Sequence, residues 1–140
     1  DGGHRDTVLS PLEHQGSGLD RRTSVAVEVV SSVERTPGRV VLAITGDLDI
    51  ASATAFRDAT LDALGIDPVT MVLDLSGVPF VDSSGLAVLV LVRRKARSRR
   101  SDLRLVTNRR IDGVLSTAGL THAFAVFETV EAAVQGTTAP

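Results

Sequence analysis

Asp82, Ser83, Ser84 and Gly85 stand in a row between the turn Gly77-Val78-Pro79 and the apolar run that begins at Leu86. Asp and Ser are preferred helix N-cap residues, because their side-chain oxygens accept hydrogen bonds from the orphan N–H groups of the first turn. On that reading the two serines are only helix caps. The same place also suits a phosphate acceptor, since a helix start offers free N–H donors and the positive end of the helix dipole. Phosphorylation there adds about −1.5 to −2 charges and three strong acceptor oxygens. Under a partner's surface that charge is buried or repelled by Asp82, and a hundredfold loss of affinity needs only about 2.7 kcal/mol. The residues themselves do not separate the two neighbouring hydroxyls. A second acidic pair, Asp47 and Asp49, lies in the loop GDLD. Acids two apart in a loop read first as turn-formers or helix caps, and only then as a Mg²⁺ site.

Other chemistries find less support. A serine hydrolase needs a strained G-x-S-x-G elbow, and Val81 stands where the first glycine belongs. His122 is the one histidine outside the N-terminal stretch, and a catalytic base must itself be oriented by a third group. His4, His14 and His122 show no metal-ligand spacing, so no metal and no cofactor are expected. The G-x-x-x-x-G-K phosphate loop is absent, so the chain does not look like a phosphate-loop kinase, and no enzyme is expected. Arg93, Arg94, Lys95, Arg97, Arg99 and Arg100 place six cations in eight residues. They read as a solvated helix end that complements the negative end of the dipole, with an acidic partner surface as the functional alternative. The net charge of −2 argues against direct nucleic-acid binding.

Elements that position these residues follow from periodicity. Val25, Val27 and Val29 alternate with Ala26, Glu28 and Val30, which predicts one strand running to the turn at Pro37-Gly38. RVVLAIT is the returning strand of that hairpin. Ile50, Ala53, Phe56, Ala59, Leu61 and Leu64 recur at helical spacing up to Gly65 and Pro68. VTMVLDLS is apolar enough for a central strand covered on both faces, with Asp74 as its polar exception. SSGLAVLVLVRRKARSRR suits a strand or a helix by composition, and its length and caps favour helix. DLRLVT, NRRIDGVLSTAG, AFAVF and ETVEAAVQ then read as strand, helix, strand and helix. Such alternation predicts an α/β domain with a mainly parallel sheet, an antiparallel N-terminal edge hairpin and about four covering helices.

With 140 residues, one domain is expected, at 24–136, with a flexible tail over 1–23 and a short one over 137–140. The core must be aliphatic, because four Phe are the only aromatic residues, and single-strand nucleic-acid binding by base stacking is correspondingly disfavoured. Absence of cysteine removes disulfides and thiolate chemistry and fits a cytoplasmic setting. The longest apolar run, Leu86 to Val92, falls far short of the roughly 20 residues that span a bilayer, so no membrane role is expected. The N-terminus has no secretory signal pattern, and without an initiating Met the chain reads as a fragment or a cleaved product.

VLDLSGVPFVDSSGLAVLV resembles the central signature of STAS-domain anti-sigma factor antagonists. ITGDLDIASA is similar to that family's strand, acidic loop and first helix, and the likeness continues through LRLVTNRRIDGVLSTAGLTHAFAVFETVEAAV. It covers about residues 25–135. The resemblance implies that Ser83 is phosphorylated by an anti-sigma factor with serine kinase activity, with Ser84 as the fallback acceptor. It implies further that the unphosphorylated chain binds this kinase and frees the sigma factor, and that a serine phosphatase restores it. Asp82 would orient the serine, Gly85 would let the partner approach, and Asp47 and Asp49 would line the same surface. The alternative is a STAS scaffold or small-nucleotide-binding module without a phosphoswitch. The long tail and the basic cluster exceed the minimal family pattern.

Overall fold

The computed structural model describes residues 4–6, 24–26 and 29–136. Their strands are β1 (His4–Asp6), β2 (Ser24–Ala26), β3 (Val29–Thr36), β4 (Arg39–Thr45), β5 (Thr70–Gly77), β6 (Asp102–Val106) and β7 (Ala125–Phe127). Their helices are α1 (Ala53–Leu64), α2 (Ser83–Ser98), α3 (Arg109–Thr117) and α4 (Val130–Gln135). The sheet runs β3-β4-β5-β6-β7. β3 and β4 form the antiparallel hairpin, closed where Thr36 pairs with Arg39 around Gly38 at φ 75°. From β4 onward every pairing is parallel, as the strand-helix alternation requires.

Both faces of β5 are covered, which is why Met71, Val72 and Leu73 are all buried in succession. On one face α1, α2 and α3 bring Phe56, Leu89, Val92, Ile111 and Leu115 against Leu42, Ile44, Leu73 and Leu75. Each such side chain contributes about 1.5–3 kcal/mol by leaving water. On the other face α4 alone packs Ala133 over Val72, Val106 and Phe127. Asp74 points to that thinner side and accepts from the Ser76 N–H at 3.0 Å and its hydroxyl at 2.7 Å.

Two sequence readings change, and one strand pairing joins the sheet from the N-terminal stretch. The single strand expected from Val25 onward is two strands, with Ala26 paired to Val29 and Ser24 to Ser31, so β2 folds back on β3. Valine alternation runs through this region without any Gly, Pro or Asn to mark the reversal. Within the expected flexible tail, His4–Asp6 pair with Val33–Arg35 farther along the same edge, and the rest of 1–23 lies outside the described residues, as does 137–140. Ile50, placed on the apolar stripe of the first helix, precedes α1 and is 81% exposed.

Candidate functional site

The parallel strands deliver their connecting loops to one edge of the sheet, where open α/β sheets place their sites. β5 ends at Gly77, and the chain turns through Val78, whose N–H donates to Leu75 O at 3.0 Å, before entering α2. Asp82 is the N-cap of α2, extended at φ −108° and ψ −170°. Its Oδ1 accepts from the N–H of Ser84 at 2.8 Å and of Gly85 at 3.4 Å, and its carbonyl accepts from Leu86 N at 3.0 Å. Asp82, not a serine, is therefore the capping group. Ser83 is the first residue of the helix and is exposed, whereas Ser84 is half-buried.

The acidic loop lies against this segment. Leu48 N donates to Phe80 O at 2.8 Å and Asp82 N donates to Leu48 O at 3.0 Å, bridging Leu48 to Val81 like one rung of a parallel ladder. Leu48 is fully buried, and its neighbours Asp47 and Asp49 flank it. The loop is braced from within. Asp49 Oδ1 accepts from the N–H groups of Ala51 at 3.0 Å and Ser52 at 3.1 Å. Buried Ser52 donates its hydroxyl to Asp47 O at 2.6 Å and accepts from Asp49 N at 3.0 Å. The carboxylate of Asp49 thus shapes the loop, while that of Asp47 accepts no hydrogen bond among the described residues.

Gly85 packs closely against the chain itself. It is buried, and a Cβ there would stand 2.8 Å from Leu48 O, 2.9 Å from Leu48 Cβ and 3.1 Å from Val81 Cγ1. What approaches this backbone closely is the chain's own acidic loop, so the glycine locks the two halves of the site together.

Beside Ser83 runs an apolar groove of about 650 Å³, with Phe80 and Leu86 on the α2 side and Gly113, Val114 and Thr117 on α3. Phe80 is 50% exposed. Asn108 holds α3 against the turn that leads to Ser83: it caps the helix by accepting from Ile111 N at 2.9 Å, and its Nδ2 donates to Val78 O at 2.9 Å and Ser76 O at 3.1 Å. Ile50, Ser52, Phe80 and Asn108 were not singled out from sequence as site residues. Asn108 does carry a readable signal, an Asn immediately before a helical pattern; the exposure of Ile50 and Phe80 has none.

The basic end of α2 is divided in its work. Arg93 Nε donates to Ala123 O at 2.6 Å and Arg99 donates to Gly65 O, so these two tie the helix to neighbouring loops. Arg94, Lys95, Arg97 and Arg100 are exposed and make no ion pair among the described residues. His122 is exposed too, and no described residue orients it.

No helix among the described residues is long and apolar enough to cross a membrane. The chain is similar to two anti-sigma-F factor antagonists of Mycobacterium tuberculosis. RsfB is 36% identical over 58 residues, which cover 41% of this chain and 48% of RsfB, so the match spans about half of that relative. RsfA is 25% identical over 118 residues, covering 82% of this chain and 92% of RsfA. In fold it resembles the crystal structure of an anti-sigma factor antagonist from Mycobacterium paratuberculosis, with a TM-score of 0.71 at 24% identity over 78% of this chain and 93% of the other. The STAS domain family model matches residues 31–133, a span that takes in the acidic loop, the Asp82–Gly85 helix start, the helices α1 to α3 and the first part of α4. By that match the chain belongs to the STAS domain family.

Proposed function

We propose that the protein is an anti-sigma factor antagonist whose partner is an anti-sigma factor with serine kinase activity. Unphosphorylated, it binds that kinase and frees a sigma factor in the cytoplasm. Phosphorylated on Ser83, it lets go, and a serine phosphatase resets it. The chain acts here as ligand and phosphoacceptor, not as enzyme.

One observation carries this reading: Ser83 is exposed at the first position of α2, while the nearest first-turn donors are already occupied. Asp82 takes the N–H groups of Ser84 and Gly85. A phosphate on Ser83 therefore has few free donors of this helix to neutralise it and sits beside the Asp82 carboxylate. Under a partner the added charge goes uncompensated, and such a charge weakens binding by the like-charge and desolvation terms. Exposed Ile50 and Phe80, on the loops either side of the Leu48 bridge, supply apolar contact area for that partner. The names of RsfB and RsfA point the same way.

The test is intact-mass spectrometry after incubation with ATP and the cognate anti-sigma factor kinase. Gain of one phosphate that disappears in Ser83→Ala is expected. A phosphate retained in Ser83→Ala but lost in Ser84→Ala moves the acceptor by one residue, and no modification with any cognate kinase overturns the switch.

A further inference from the structure

Two features of α3 cost the helix something that the fold does not recover. Gly113 lies in its interior, where glycine is a poor helix former. A Cβ built on Gly113 meets nothing within 4 Å, so neither packing nor a special backbone angle demands a glycine there. Its effect is to keep the groove open. Arg109 and Arg110 occupy the first two helical positions, at the positive end of the dipole, where cations are disfavoured. Both are exposed and neither pairs with a carboxylate among the described residues. Arg110 is the one charged side chain that lines the groove; the rest of its wall is mostly apolar, with Phe80, Val81, Leu86 and Val114 prominent.

We propose that this groove receives an apolar side chain from an acidic segment of the anti-sigma factor, whose carboxylates meet Arg109 and Arg110. The inference rests on the anti-sigma factor reading above and specifies which part of the partner docks beside Ser83. Val81 and Leu86 line the groove and bracket Ser83 in sequence, so a partner that covers the serine also lies over the groove. Charge sets its orientation. Asp47 and Asp82 lie on the acidic-loop side of the helix start and the two arginines on the α3 side, so an acidic segment is attracted to α3 and repelled from the loop. An apolar wall with one flanking guanidinium suits a segment in which a Leu, Ile or Phe stands next to Asp or Glu.

The experiment is a calorimetric titration of the full chain with the kinase that modifies Ser83, comparing the unsubstituted protein with Gly113→Leu and Arg110→Glu, each checked by thermal melting. Gly113→Leu fills the groove while improving helix propensity, so its melting temperature is expected to hold or rise as affinity falls at least tenfold. Arg110→Glu is expected to lose at least tenfold as well, more than Arg110→Ala, with the gap shrinking at high salt. If both variants bind within twofold of the unsubstituted chain and Ser83 is still phosphorylated, the groove inference is overturned and the phosphoswitch stands. If the unsubstituted chain neither binds nor is modified, both fall. Should Gly113→Leu melt lower, Arg110→Glu decides alone by the same tenfold and twofold limits.

Discussion

Adding a methyl group at Gly85 brings it to 2.8 Å from a backbone oxygen and 2.9 Å from the Cβ of Leu48, atoms that cannot swing aside as a side-chain tip can. Leu48 is itself fixed by hydrogen bonds on both sides, to Phe80 and Asp82. Gly85→Ala must then lift the start of α2 off the acidic loop, and overpacking of this kind costs about 1–3 kcal/mol. A lowered urea midpoint is expected; a midpoint equal to that of the unsubstituted protein would show that the loop yields freely. Asp82→Ala is expected to cost about 1 kcal/mol through the lost cap, by the same measurement. At this scale the sequence was readable where chemistry is local. An Asp-Ser run before an apolar stretch signals a helix cap in any fold, though not that Asp82 and not a serine supplies it, and Asp49 in a loop is a turn-former. The environment of Gly85 was not readable, because what touches it comes from Leu48, a residue far off in sequence that only the tertiary fold brings near.

Among the elements, the joint between α3 and the β5–α2 turn rests on the two ends of one side chain. The Asn108 carbonyl caps α3 while its amide donates to the carbonyls of Ser76 and Val78. Asp is as good an N-cap as Asn, so Asn108→Asp keeps the cap but sets a carboxylate against two carbonyl oxygens. A loss of about 1–3 kcal/mol is expected for Asn108→Asp, from donors replaced by a misplaced charge. The measurement is chemical denaturation, and a variant as stable as the original would mean that the cap is the whole contribution. Strand-helix alternation from residue 40 onward was legible because most of the elements end in Gly, Pro or Asn, as at Gly46, Gly65, Gly77, Asn108 and Gly119. The pairing of β2 back onto β3 was not, since valines at 25, 27, 29 and 30 satisfy one uninterrupted strand pattern. Ile50 fell at helical spacing from Ala53 by accident of position, and the Asp49 side chain, by taking the N–H groups of Ala51 and Ser52, holds it in the loop ahead of the helix.

Across the whole molecule, α2 links two regions of opposite character. Its first residue is the exposed Ser83 and its last turns carry Arg94, Lys95 and Arg97. Alternation foretold the parallel sheet that sets this polarity, though not that three helices share one face and α4 covers the other. At a rise of 1.5 Å per residue, Lys95 and Arg97 lie about 18–21 Å along the axis from Ser83. That is roughly twice the screening length of about 8–10 Å at physiological salt. Between exposed charges so separated little interaction survives, so the cations neither attract the phosphate nor steer the serine chemically. Reversing Arg94, Lys95 and Arg97 to Glu together is expected to cost about 1–3 kcal/mol of stability, because each then opposes the negative end of the dipole. The initial rate of Ser83 phosphorylation, followed by intact mass at a temperature where the variant stays folded, is expected to remain within about twofold, the scale of change that screening permits. A rate that collapses while the melting curve stays cooperative would mean that the kinase reaches along the entire helix. The acidic contact would then belong to this basic end as well as to Arg109 and Arg110.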